Sequence, residues 1–167
     1  MPLGRLRNLW KRLKKPESTQ IEREKKGVMI RPYNDADYLF TRDLQKENMI
    51  TYIDKYWGGW NPETYRKGLE KGITWIVELE GARVGFFVLN FRKGNAHLKN
   101  IQVCPEHQGK GLGRLVLGHC ERVAKEHRLG ELYLEVFKDN PAKNLYDRMG
   151  YAVYEISETH YKMRKGL

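Results

Sequence analysis

The chain has 167 residues, with 31 Lys and Arg against 21 Asp and Glu, a formal charge of +10 and two cysteines. This length suits one domain with a real core. Cys104 and Cys120 form no C-x-x-C pair and no His/Cys cluster, which points away from a metal site or redox motif, and two unpaired cysteines suit a reducing compartment; no apolar run reaches membrane-span length and no signal peptide is evident, so the expected localisation is cytoplasmic.

Residues 1–27 are set apart as a basic N-terminal extension ahead of a domain over 28–167. They hold nine Lys and Arg against three acids, so +6 of the charge lies there and the remainder carries +4. Leu6, Leu9, Trp10 and Leu13 follow helical spacing between basic residues. A membrane-surface helix, an arm for nucleic acid or an acidic partner, and a transit-type segment are the functional readings; a mobile tail, or a start placed ahead of Met29, are the plainer ones. Val28 to Arg31 forms a short strand ended by Pro32, and Asn34 or Asp35 caps a helix over about Ala36 to Ile50 with Leu39, Phe40 and Leu44 inward. An aromatic stretch follows (Tyr52, Tyr56, Trp57, Trp60, Tyr65), broken at Gly58 and Gly59, with a second helix from Asn61-Pro62 to Glu70. Ile73 to Glu80 and Arg83 to Phe91 are strands around a turn at Gly81-Ala82; Arg92 to Asn95 turns again, and Ala96 to Val103 is the central strand. A helix from Leu112 to His127 puts Leu112, Val116, Cys120, Val123 and His127 on one face. Leu132 to Val136 is a buried strand. Asn140-Pro141 opens a short helix ending at Gly150, and Tyr151 to Ser157 with His160 to Arg164 form a last hairpin. These elements make a mixed α/β sheet.

The stretch Val103 to Gly113, V-C-P-E-H-Q-G-K-G-L-G, joins the central strand to the long helix. Glycines at 109, 111 and 113 leave room for backbone N–H groups to converge, the helix adds its own unpaired N–H groups and dipole, and Lys110 and Arg114 add charge, which together suit a phosphate or pyrophosphate. A Walker A loop needs Ser or Thr where Gly111 stands, and G-x-G-x-x-G needs Gly where Arg114 stands. The pattern that fits is Q-x-x-G-x-G, met by Gln108, Gly111 and Gly113. With Pro105 just past the strand and the later N-P-A-K-N-L-Y-D-R-M-G-Y segment, the sequence resembles the GNAT superfamily of acyl-CoA-dependent N-acyltransferases over roughly Val28 to Arg164. That resemblance implies a mixed sheet of about six to seven strands, splayed between its central parallel pair and flanked by about four helices. It also implies acetyl-CoA as co-substrate, an amine acceptor, small molecule or protein, that attacks the thioester directly in a ternary complex, and a monomer or homodimer with no specific nucleic acid.

The resemblance further implies a set of site residues. The strand edge at Ile101, Gln102 and Val103 pairs with the pantetheine arm. Gln108, Gly109, Lys110, Gly111, Leu112, Gly113 and Arg114 take the pyrophosphate. Asn140 contacts the arm, with a helix cap or Asx turn as its structural alternative. Tyr146 protonates the departing sulfur: a phenol near pKa 10 can donate to a thiolate whose conjugate acid lies at about 8.5. Its alternative is a core tyrosine. His97 is the candidate base, where protein-acetylating relatives carry a carboxylate acting through water; a strand histidine is the alternative, with Glu47, Asp54, His160 or a water chain as other proton acceptors. His107 and His127 receive no role. The aromatics from Tyr52 to Tyr65 would wall the acceptor site or form a satellite core. The E-L-Y-L-E-V-F-K-D-N segment with the Tyr146 helix resembles enzymes acetylating protein N-termini, ribosomal ones among them, whereas the aromatic insertion and short C-terminal hairpin resemble small-amine members. The competing class is a non-catalytic binding module that keeps the fold and docks through its basic arm.

Overall fold

The computed structural model describes residues 27–167; the basic extension expected over residues 1–27 lies, but for Gly27, outside them. Seven strands form one sheet in the order β1-β2-β3-β4-β5-β7-β6. They are β1 (Val28–Pro32), β2 (Ile73–Leu79), β3 (Ala82–Arg92), β4 (Asn95–Val103), β5 (Glu131–Phe137), β6 (Ala152–Ile156) and β7 (His160–Gly166). Four α-helices accompany them among the described residues: α1 (Tyr38–Trp57), α2 (Pro62–Glu70), α3 (Leu112–Glu126) and α4 (Lys143–Arg148). All neighbours pair antiparallel except β4 and β5. This is the mixed α/β architecture expected from the sequence.

The first hairpins turn on two residues each. Glu80 and Gly81 have φ of 52° and 83°, Lys93 and Gly94 of 47° and 83°. Two successive positive φ values match the twist of the flanking strands. The first turn therefore sits one residue earlier than expected, and Ala82 is already a strand residue paired with Leu79.

Each sheet face has its own core. Phe87, Leu89, Ala96, Leu98, Leu132 and Leu134 pack with Leu112, Val116, Leu117 and Cys120 of α3. Ile76, Phe86 and Val88 pack on the other face with Leu44 of α1 and Tyr65 and Leu69 of α2. Helix α1 corrects two expectations. A capping box between Asn34 and Asp37 sets its entry, with Asp37 almost fully buried and bonded by Arg31. That phase turns Thr41 and Leu44 to the sheet and leaves Leu39 59% exposed rather than inward. Nor does the helix stop at Ile50: nothing breaks it before Gly58, whose φ of 74° ends it. Strand β5 is not buried throughout, for Leu132, Leu134 and Val136 face α3 while Tyr133 is half-buried and Glu135 exposed.

The parallel contact between β4 and β5 is short. Only Ala96, His97 and Leu98 pair, with Leu132, Tyr133 and Leu134. Beyond them the strands diverge, β4 running on to Val103 and β5 to Phe137. On its other side β4 slips register between Leu98, paired with Leu89, and Asn100, paired with Val88, so Lys99 is the extra residue of a bulge. A bulge bends its strand, and this one lies where β4 leaves β5.

Candidate active site

At the open end of this splay stands the N terminus of α3. Gly111 precedes the helix with φ of 87°, and no side chain caps it. The first intrahelical bond found there runs from Leu115 N to Gly111 O. The N–H groups of Leu112, Gly113 and Arg114 therefore lie at the helix mouth with its positive dipole end. Gly109, also left-handed at φ of 70°, has open space where a Cβ would stand. Arg114 is exposed on the first turn and Lys110 is exposed in the loop. These features fit a diphosphate. Two expected holders serve packing as well. A Cβ on Gly113 would lie 2.9 Å from Leu145 Cδ2, so this glycine lets α4 close against α3. The Gln108 amide donates to Val103 O at 3.0 Å and ties the loop to the end of β4.

Helix α4 carries Tyr146 into the α3 side of the core, where it is 6% exposed and its ring meets Tyr151 edge-on at 6.1 Å. Burial, with Cys120 adding to it, pushes the phenol well above its ordinary value. Asn140 leads into this helix. Its Oδ1 accepts from Ala142 N at 2.9 Å, an Asx turn, and its own N–H bonds Phe137 O at 3.0 Å. Ile101, Gln102 and Val103 form the end of β4 past the last residue shared with β5. The Gln102 side chain points away from α3: Asn48 Nδ2 of α1 donates 3.0 Å bonds to both Gln102 Oε1 and Val103 O, and Gln102 Nε2 donates to Asn100 Oδ1 at 2.9 Å. Asn100 in turn donates to Gln45 of α1.

His97 lies on the α1 side of the sheet, its ring stacked on Tyr133 at 4.5 Å. Burial lowers its pKa, with Glu135 pulling the other way. Tyr133, Glu135 and Phe137 alternate onto this face of β5 opposite Arg164, Lys162 and His160 of β7. The His160 ring packs on Phe137 at 4.1 Å, and burial lowers its pKa too. Glu47 and Asp54 are exposed on α1, and His107 and His127 stand at a loop and a helix end. Glu135 was not among the expected site residues, yet it shares the face of His97 and His160. The Tyr-x-Glu-x-Phe alternation across β5 was its signal.

The aromatic stretch divides. Tyr52 and Tyr56 stack on Phe137 at 5.4 and 5.1 Å, and Trp57 meets both Phe137 and His160. Trp60 instead packs on Tyr65 in the core under α2. Lys55 also reaches Asp139 past the end of β5, at 2.5 Å. So α1 touches β4 through Asn48 and β5 and β7 through its last turn, spanning the splay on the face opposite α3.

A sheet parted at its parallel pair, with a bare helix N terminus at the opening, agrees with a family match over residues 35–151 to the acetyltransferase (GNAT) family. The chain belongs to that family. Streptothricin acetyltransferase of Streptomyces lavendulae is 36% identical over 89 residues, 52% of this chain and 47% of that one. The [ribosomal protein bS18]-alanine N-acetyltransferase of Haemophilus influenzae is 34% identical over 83 residues, 50% of this chain and 57% of that one. The chain thus spans about half the length of these curated relatives. The fold matches PaiA N-acetyltransferase of Thermoplasma acidophilum, solved in complex with coenzyme A, with a TM-score of 0.68 over 84% of this chain and 99% of that one at 18% identity. This GNAT chain has no helix among its described residues long and apolar enough to cross a membrane, and no His/Cys/Asp/Glu group there that could hold a metal ion.

Proposed function

We propose that this GNAT chain is an N-acetyltransferase that moves an acetyl group from acetyl-CoA to an amine by direct attack in a ternary complex. The observation that carries this reading is the gap between β4 and β5, opening onto the uncapped start of α3. In it, residues 108–114 hold the diphosphate through backbone N–H groups, and the edge of β4 from Ile101 to Val103, which has no strand partner on the β5 side, receives the amide-bearing arm. Coenzyme A supplies the activated thioester, so the protein needs no covalent nucleophile. Its own residues position the partners and move two protons. Tyr146, kept protonated by burial, gives its proton to the leaving sulfur. His97, held neutral at pH 7 by burial, takes one from the attacking amine. His160 and Glu135 share that face and are the alternatives to it.

Thiol release from acetyl-CoA across a panel of amines tests the activity, and failure to bind CoA at millimolar levels would end it. Intersecting initial-velocity lines are expected for the ternary complex; parallel lines would indicate an acetylated enzyme instead. The acceptor reading that similarity favours beside a small amine is a protein N-terminal α-amine, from the likeness to the bS18-alanine enzymes. Mass spectrometry of cellular protein N-termini with and without the gene separates the two.

A further inference from the structure

A cleft of about 490 Å³ lies away from the splay, between the residues that follow β1, the start of α1, helix α2 and the start of β2. Register places it at the opposite end of the sheet: Pro32 pairs with Trp75 and Ile73 with Leu89, whereas the splay opens toward Val103, which pairs with Gly85. Its size falls in the range of small-molecule sites. Tyr33, Tyr38, Leu69 and Ile73 give it largely apolar walls. On the wall formed by β2 is Thr74, 8% exposed, whose Oγ1 is buried without a hydrogen-bond partner. An orphan hydroxyl costs stability unless something bonds it.

The rim has both signs of charge. Arg66 lies over the Tyr38 ring at 4.5 Å, which orients the guanidinium. Among the described residues no ion pair holds it, although Glu70, one turn further along α2, attracts it; Asp35 is the other acid of the same rim. One oriented guanidinium, two carboxylates, an apolar interior and one hydroxyl without a partner are complementary to a molecule carrying a carboxylate, an ammonium and an apolar group. We propose that this cleft is a second ligand site, distinct from the acetyl-transfer site, that takes a free amino acid with an apolar side chain. Arg66 receives the ligand carboxylate, Asp35 and Glu70 the ammonium, the tyrosines and Ile73 the side chain, and Thr74 Oγ1 its hydrogen bond. The assignment does not depend on the transferase reading.

Titration of the full chain with L-phenylalanine, followed by amide shifts in two-dimensional NMR, tests it, with phenethylamine and 3-phenylpropionate as probes lacking one charge each. Shifts are expected at residues 33–38 and 66–74. Both analogues should bind at least about tenfold more weakly. Arg66→Gln, at an exposed position that leaves the core alone, should weaken phenylalanine by about tenfold and leave phenethylamine unchanged. Saturation with CoA should not alter the affinity. No shifts at up to about 10 mM, shifts confined to residues 97–103 and 133–146, or equal binding of phenethylamine would each overturn the assignment.

Discussion

Tyr146 sits where burial opposes ionisation of its hydroxyl ahead of the reaction. Burial raises its pKa, so in the proposed mechanism the group enters the reaction protonated and serves as donor to the leaving sulfur. Phenylalanine keeps the ring against Tyr151 and the α3 core and removes only the hydroxyl. Tyr146→Phe should therefore lower kcat about 10²-fold, while leaving the KM for acetyl-CoA and the Tm near those of the parent; a matching fall in Tm would make it a core tyrosine instead. As the proposed base, His97 would work in the opposite sense. Its pKa is lowered from 6.5 by burial, and it accepts a proton only when neutral. So kcat/KM should be level above that pKa and fall as the pH drops through it, below the usual histidine range. His97→Gln should cost about 10²-fold near neutrality and less at alkaline pH, where the amine sheds its proton unaided. An unchanged acid limb in that variant would assign the limb to His160, whose pKa burial also lowers.

Helix α1 has two kinds of attachment, and burial decides which matters. Asn48 serves Gln102 Oε1 and Val103 O from a half-buried position, and Gln102 is only 7% exposed. Asn48→Ala should cost about 1–3 kcal/mol, seen as a lower Tm, and should raise the KM for the amine because the helix no longer registers over β4. Lys55 and Asp139 are both exposed, and such pairs contribute little; Lys55→Ala should leave the Tm unchanged, and a fall like that of Asn48→Ala would show the helix held from its far end. Which elements were legible follows from the same physics. The Glu-Gly and Lys-Gly hairpins, the apolar face of α3 and the Gly loop are local, and the sequence states them within a few residues. The end of helix α1 is not legible locally because Tyr52, Tyr56 and Trp57 look alike whether they close a helix or line a loop; their partners, Phe137 and His160, lie about 80 residues or more further on. The apolar half of β5 hides the alternation that would single out Glu135. The bulge at Lys99 depends on β3 pairing, which no local pattern contains.

For the molecule as a whole, the parted sheet leaves the fold with a standing cost that a ligand can offset. The end of β4 beyond Leu98 lacks a strand partner on the β5 side, and the first N–H groups of α3 lack a cap. A bound CoA that satisfies both must stabilise the folded state over the unfolded one. At a hundred times its Kd the gain is about 2.7 kcal/mol, which for a chain this size is a rise in Tm of roughly 5–10 °C. The charge distribution adds a salt dependence: the body beyond residue 27 carries only +4, so attraction of the diphosphate should come mainly from the loop and weaken modestly with ionic strength. Two variants locate the effect. Gly111→Val forces a β-branched residue to φ of 87°; the strain of about 1–2 kcal/mol lowers the Tm of the free protein, but the diagnostic quantity is the increment on adding CoA, which should nearly vanish. Arg114→Gln, exposed and unstrained, should leave the free Tm alone and reduce the increment in part. If both variants keep the full increment, the diphosphate is held elsewhere and the gap between β4 and β5 is not the cofactor site.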